Sequence, residues 1–194
     1  MNKIYFATTN KGKIDSLNKD FEGTSIKIVP VEIEIPEPRS DETKIIAEKK
    51  VKYAFAHIKK PCCSLDGGFY IPSLNGFPKA YVNFALATIG IEGILKLIEG
   101  KDRSCYFVDT LAYLDKTSKE PVFFESIAKG VLAKEPLGKL QPHNWGELHK
   151  IFIPQGHTKT FAQMSAEEYY GWRKEISEER EGKKFAKWIL KNKK

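Results

Sequence analysis

Two β-rich runs stand close together near the middle of the chain, CYFVDTLAYLD at 105–115 and PVFFESIAKGVLA at 121–133, separated only by KTSKE. So short a polar link cannot carry the crossover that parallel strands need, and the pair therefore predicts an antiparallel hairpin. The segments before it follow a different rhythm. IYFA at 4–7 is a short strand, and Ile14, Leu17 and Phe21 then recur at helical spacing. IKIVPVEIEI from Ile26 reads as extended chain, with Pro30 favouring an edge over a central position. After PEPRSDE, the residues Ala47, Val51, Ala54, Phe55 and Ile58 mark one face of a second helix, with Ser40 or Asp41 as its cap. Strand–helix alternation interrupted by a hairpin implies an α/β chain with a mixed twisted sheet flanked by helices.

PCCSLDGGFYI predicts a short buried strand ending at Asp66, with Gly67 and Gly68 turning the backbone sharply. Ile91, Ile94, Leu95 and Ile98 predict a helix that ends at Gly100. The last third reads as the loop LQPHNWGELHK, the short strand IFIP, and helices beginning near Ser165 and Gly182. No repeat or low-complexity segment divides the 194 residues, which predicts one domain over 1–194, with room for a small second lobe.

Composition narrows the function classes. Charged residues make up 29% of the chain, and no apolar run is long enough to span a bilayer. The N-terminus lacks the basic-then-apolar pattern of a secretory signal, so a cytoplasmic protein without membrane partners is expected. Cys62, Cys63 and Cys105 have no zinc-ligand spacing to each other or to the histidines, and read as buried free thiols. The formal charge of +7 favours anionic partners. Much of it lies in Lys183, Lys184, Lys187, Lys191, Lys193 and Lys194, around Phe185, Trp188 and Ile189. These lysines read as the solvated face of an amphipathic helix, and nucleic-acid binding through them is the minor alternative.

The chemistry-bearing segment is ATTNKGK at 7–13, where a strand opens into a helix. First-turn N–H groups have no intrahelical partner there, and the helix dipole favours an anion. Thr8, Thr9 and Asn10 add hydrogen-bonding side chains and Lys13 adds a charge. It is not a Walker loop, because one glycine precedes the lysine and Ile14 stands where a hydroxyl would hold magnesium. Asp66, at a strand end before two glycines, and Glu37, in an acidic loop, are the candidate carboxylates. Brought together opposite the loop, they suit a magnesium ion bridging phosphate oxygens, or an attacking water. Each acid alone also reads as an ordinary turn or capping residue.

In sequence and order, FATTNKGK, PEPRSDE with its lysine-bearing helix, LDGGFYIPSLNGFPKAYVNF, IEGILKLI and TFAQMSAEE resemble the inosine triphosphate pyrophosphatase family, also called the Ham1 family. The resemblance covers most of the chain. It implies two lobes with a central cleft, one of them a smaller lobe holding the 105–133 hairpin. It also implies magnesium-dependent hydrolysis of non-standard purine nucleoside triphosphates to monophosphate and pyrophosphate, in a homodimer joined partly through FPKAYVNF.

On the family's T-G-N-x-x-K motif, Thr8, Asn10 and Lys13 match, and Thr9 replaces the usual glycine. The resemblance assigns Glu37 to the metal, Asp66 to the metal and to catalysis, and Lys49 and Lys52 to the triphosphate. The departures cluster. Leu65 precedes Asp66 where the family has a second acid. NWGELHK replaces the base-reading F-G-[YW]-D-P, leaving Trp145, Gly146 and Glu147. Tyr169 replaces a lysine, and ISEERE replaces I-S-H-R, leaving Arg173, Lys174 and Arg180 as cations, with Arg180 the candidate substrate contact. Ionised Glu178 or Glu179 cannot donate to a purine keto group. Trp145, Tyr169, Tyr170 and Trp172 read equally as stacking surfaces or as core. The alternative to an active pyrophosphatase is a catalytically weakened nucleotide-binding relative with altered base specificity.

Overall fold

The computed structural model describes residues 3–36 and 38–192. In chain order the elements are β1 (Lys3–Ala7), α1 (Lys11–Asp20), β2 (Lys27–Val31), α2 (Thr43–Ile58), β3 (Cys62–Tyr70), β4 (Pro78–Lys79), α3 (Val82–Thr88), α4 (Gly90–Leu97), β5 (Ser104–Leu114), β6 (Val122–Leu132), β7 (Phe152–Pro154), α5 (Ala166–Glu175) and α6 (Glu181–Asn192). The strands form one sheet in the order β2-β1-β3-β5-β6-β7, with β4 paired to β3 off that path. β1 pairs in parallel with both β2 and β3, whereas β4 on β3 and β7 on β6 are antiparallel. The sheet is mixed, as the central hairpin requires: β5 and β6 are neighbours, and residues 115–121 are too short a link for a parallel crossover.

β2 is an edge strand, as Pro30 predicts, and the other edge is the three-residue β7, which ends in Pro154. β3 differs from its expectation. It does not end at Asp66 but runs through Gly67 and Gly68 to Tyr70. The glycines lie in extended backbone, and the pairing of Phe69 and Tyr70 with β4 carries the strand onward. The second helix also starts differently. Glu42 is its N-cap without a side-chain cap bond, and Ser40 Oγ accepts from the Glu42 N–H at 3.1 Å.

The residues fall into two compact units. The first comprises Met1–Gly67, Asp109–Ser126 and Glu178–Lys194; the second comprises Gly68–Val108 and Ile127–Ser177. The hairpin expected within one lobe is therefore shared, its 109–126 part belonging to the first unit.

Alternation along the strands gives the first unit a core on each sheet face. Ile4, Phe6, Cys63, Leu65, Leu111 and Tyr113 point to one face, where Leu17 of α1 and Phe185 and Ile189 of α6 cover them. Ala7, Cys62, Ala112 and Leu114 point to the other, against Ala47, Val51 and Ala54 of α2. The three cysteines are free and buried, as expected, and burial pushes the Cys62 and Cys105 thiols up to about 12, so they behave as small apolar side chains.

The second unit has its own core, in which Ile91, Ile94 and Leu95 of α4 meet Phe69, Phe152, Phe161, Tyr169 and Trp172. Its α5 begins with a capping box. Ser165 Oγ accepts from Glu168 N–H at 3.2 Å, and the Glu168 carboxylate accepts from Ser165 N–H at 2.9 Å. No helix among the described residues is long and apolar enough to cross a membrane.

Candidate functional site

Within the first unit, β1 delivers the chain directly into the loop that opens α1. Thr8 Oγ1 accepts from Asn10 N–H at 3.2 Å, and Asn10, the N-cap, accepts from Lys13 N–H at 3.1 Å. These two side chains therefore build the loop, and Lys11 and Gly12 remain as first-turn donors. Thr9 is exposed at the tip. Lys13 leans back over the sheet and donates from Nζ to the Leu65 carbonyl at 3.0 Å. This bond holds its ammonium beside the next residue on β3, Asp66.

Asp66 is 7% exposed, and its Oδ1 accepts from Lys50 Nζ at 2.8 Å. The lysine that reaches it from α2 is thus Lys50, whereas Lys49 and Lys52, the lysines expected at the triphosphate, do not pair with it. Lys49 is exposed, and Lys52 pairs with Glu48 and Glu120, both at 2.7 Å. Helical geometry explains the choice. Lys50 follows Ile46 by four residues and Ala47 by three, which places it on the flank of the buried stripe, whereas Lys49 and Lys52 project outward. Ser64, fully buried, donates to the Ala47 carbonyl at 2.8 Å and so locks α2 onto β3 two residues from Asp66.

A further acid belongs to this unit. Asp109 of β5 interacts electrostatically with Asp66, Glu181, Lys13 and Arg180. Desolvation, followed by the charge on Glu181, pushes its carboxyl up to about 7, against the pull of Lys13 and Arg180. Sequence reading passed over Asp109, although a signal was present: aspartate is depleted within strands, and this one shares a face with the buried Leu111 and Tyr113. Leu65 leaves β3 with one acid, and Asp109 places a second carboxyl in the same electrostatic neighbourhood. Glu37 lies outside the described residues, and among those described no group of three His, Cys, Asp or Glu side chains could cage a metal ion.

Arg180 is accounted for differently from its expected substrate contact. It is 6% exposed and donates to Ser16 Oγ at 2.7 Å, Asp20 Oδ2 at 2.8 Å and Glu181 Oε1 at 3.3 Å. Glu181, 1% exposed, also accepts from Ser126 Oγ at 2.6 Å. The carboxylates of Glu181 and Asp20 hold the guanidinium charged, well above its ordinary range despite its burial. Its Nε and Nη2 tie the start of α6 to α1, a role invisible in sequence because Asp20 is 160 positions away.

In the second unit, Glu147 pairs with Lys150 at 2.7 Å, and Trp145 and Gly146 precede this short turn. Tyr169 and Trp172 belong to the core, which settles their alternative readings, whereas Tyr170 stays 37% exposed. Lys184, Lys187 and Lys191 are exposed on α6, as expected, and Lys193 and Lys194 lie outside the described residues. Lys184 donates to the Glu125 carbonyl at 2.7 Å, and Lys187 pairs with Glu178.

The comparisons with known proteins agree with this fold. The family model described as Ham1 family matches residues 4–178. The chain is 33% identical over 192 residues to the dITP/XTP pyrophosphatase of Thermococcus kodakarensis, covering 98% of each protein. It is 34% identical over 192 residues to the protein of the same name from Methanopyrus kandleri, covering 98% of this chain and 97% of that one. A HAM1 protein structure from Coxiella burnetii superposes with a TM-score of 0.80 at 22% identity, over 98% of this chain and 99% of that one. The Staphylococcus aureus Ham1 structure does so with a TM-score of 0.78 at 24% identity, over the full length of both. Matched along its length by the family model and by full-length relatives, the chain belongs to the Ham1 family.

Proposed function

We propose that this protein is a nucleoside-triphosphate pyrophosphatase that hydrolyses non-standard purine triphosphates to monophosphate and pyrophosphate. The relatives named dITP/XTP pyrophosphatase support the reaction class. The observation that carries the reading on this chain is the Lys50–Asp66 pair beside Lys13, in the unit that also presents the first turn of α1. Phosphate oxygens take the Lys11 and Gly12 N–H groups and the lysine charges. Asp66, oriented by Lys50, accepts the proton of a water that attacks the α-phosphorus, and the bond from that phosphorus to the bridging oxygen breaks. Lysine charge meets the negative charge that develops on the departing pyrophosphate.

Magnesium fits this donor set as a substrate-borne ion. It is commonly held by one or two carboxylates with phosphates and water; Asp66 would be one, and the resemblance alone supplies Glu37 as the other. Bound there, it supplies Lewis-acid neutralisation of phosphate charge. Trp145, Gly146 and Glu147 are the proposed base contacts, on the resemblance alone.

We also propose a cytoplasmic homodimer. Tyr81 and Phe84 are 43% and 68% exposed within FPKAYVNF, a segment with apolar surface to bury. Light scattering tests it, and Phe84→Glu should shift a dimeric mass to a monomeric one.

The deciding experiment is pyrophosphate release across inosine, xanthosine and ordinary triphosphates, with magnesium and with chelator. Magnesium-dependent release from the inosine or xanthosine form supports the proposal. Silence from a folded protein that still binds nucleotide in calorimetry supports the second reading, a weakened nucleotide-binding relative.

A further inference from the structure

His149 lies in the short turn at Glu147–Lys150 and is only 6% exposed. Its ring sits among aromatic neighbours, with centroids 4.9 Å from Phe161, 6.2 Å from Tyr169 and 6.3 Å from Phe107. A polar ring in such surroundings requires a hydrogen-bond partner. Here Trp145 N–H donates to His149 Nδ1 at 3.4 Å, which puts the ring proton on Nε2. The backbone completes the arrangement: His149 N–H donates to the Gly146 carbonyl at 3.0 Å, and Ala162 N–H donates to the His149 carbonyl at 2.9 Å. Side chain and main chain of one residue thus hold the two peptides that flank the Trp145–Gly146 bond, with the anchor itself tied to residue 162.

We propose that His149 is a positioning residue for nucleobase recognition: its imidazole Nδ1 and its own N–H together fix the direction in which Trp145 and Gly146 present their ring and backbone groups. This rests on reading Trp145 and Gly146 as base contacts. A core histidine serving packing alone would be replaceable by any ring of similar size, and that is the reading the test must separate. The charged and titratable groups around it are His143, whose ring lies 5.0 Å from that of Tyr169, Tyr169 itself, and the Glu147–Lys150 pair, which neutralises itself. The arrangement works with a neutral imidazole. Burial, with His143 adding to it, pulls the ring down to about 3, which keeps Nδ1 an acceptor throughout the neutral range.

Two variants dissect the role. His149→Phe keeps the ring and removes the acceptor, while His149→Asn keeps an acceptor near the Nδ1 position and removes the ring. With the purine triphosphate that the wild-type protein hydrolyses best, His149→Phe should raise KM about five-fold, the worth of one neutral hydrogen bond, at nearly unchanged kcat. His149→Asn should retain most of the wild-type KM while losing thermal stability. Hydrogen exchange gives a readout independent of activity: the Trp145 amide should exchange faster in His149→Phe, with the Ile151 amide unchanged. A folded His149→Phe protein with wild-type KM and wild-type Trp145 exchange overturns the proposal. A wild-type protein inactive on every triphosphate overturns the functional reading instead, and the exchange comparison then decides alone whether His149 holds the segment.

Discussion

Gly182 and Asp20 touch where no side chain could fit: a Cβ on Gly182 would lie 2.2 Å from Asp20 Oδ2. The approach lets the Asp20 carboxylate reach past the first turn of α6 to Arg180. Glycine is required here by proximity, since its backbone dihedral is ordinary.

Gly182→Ala should therefore push Asp20 off Arg180 and destabilise the fold by about 1–3 kcal/mol, the usual cost of overpacking. Arg180→Met should cost more, about 3–5 kcal/mol, because Asp20 and Glu181 are left as buried charges without their shared cation. Urea unfolding at about pH 7 ranks the two. Equal stability of Arg180→Met and wild type would remove the buried network from the account.

For the Lys50–Asp66 pair, Asp66→Asn should lower kcat about 10²–10⁴-fold, the range for a lost acid–base group. Lys50→Met should lower kcat/KM about 10–100-fold, the worth of a charge-assisted hydrogen bond. Lys49→Met and Lys52→Met should stay close to wild type. Steady-state pyrophosphate release measures all four, and a strong effect at Lys49 or Lys52 would contradict the assignment of Lys50.

Asp109 makes stability depend on pH in an unusual direction. Its carboxyl is raised from 3.8 to about 7 in the fold, so the folded protein holds a proton that the unfolded chain releases. This contribution is complete below the unfolded value and is lost as pH rises toward about 7. Asp109→Asn should flatten that slope and leave the variant more stable than wild type at pH about 8, where only the wild type carries a partly desolvated charge at this position, beside those of Glu181 and Asp66. Chemical denaturation on both sides of the window is the check, and parallel pH profiles would count against it.

His149 slopes the opposite way. Its ring is lowered from 6.5 to about 3, so its share of stability is present above the unfolded value and lost as pH falls toward about 3. His149→Phe should therefore resist acid better than wild type between those values, whatever it does to KM. A thermal-melt series in mildly acidic buffers would show this, and an unchanged acid limb would place the titration elsewhere.

Sequence reading succeeded where structure is made locally. The β1–loop–α1 junction, the edge position of β2, the hairpin and the start of α5 follow from periodicity, a proline and capping residues within a few positions of one another. It left out what depends on facing surfaces. Which of three neighbouring lysines meets Asp66 is a matter of helix phase against β3, and the capture of Arg180 depends on α1 lying beside α6. Asp109 was not legible for a different reason: the resemblance puts the second acid on β3 itself, whereas Asp109 stands on the adjacent strand β5.

The two ends of the sheet order bear on how the protein behaves at high concentration. An exposed strand edge offers unpaired donors and acceptors to a neighbouring molecule, and long flat edges invite fibrous stacking. Here one edge is β2, where Pro30 contributes no N–H, and the other is the three-residue β7, closed by Pro154. Each offers a poor template for another copy's strands, so unintended assembly through sheet extension is discouraged at both margins by the same residue type.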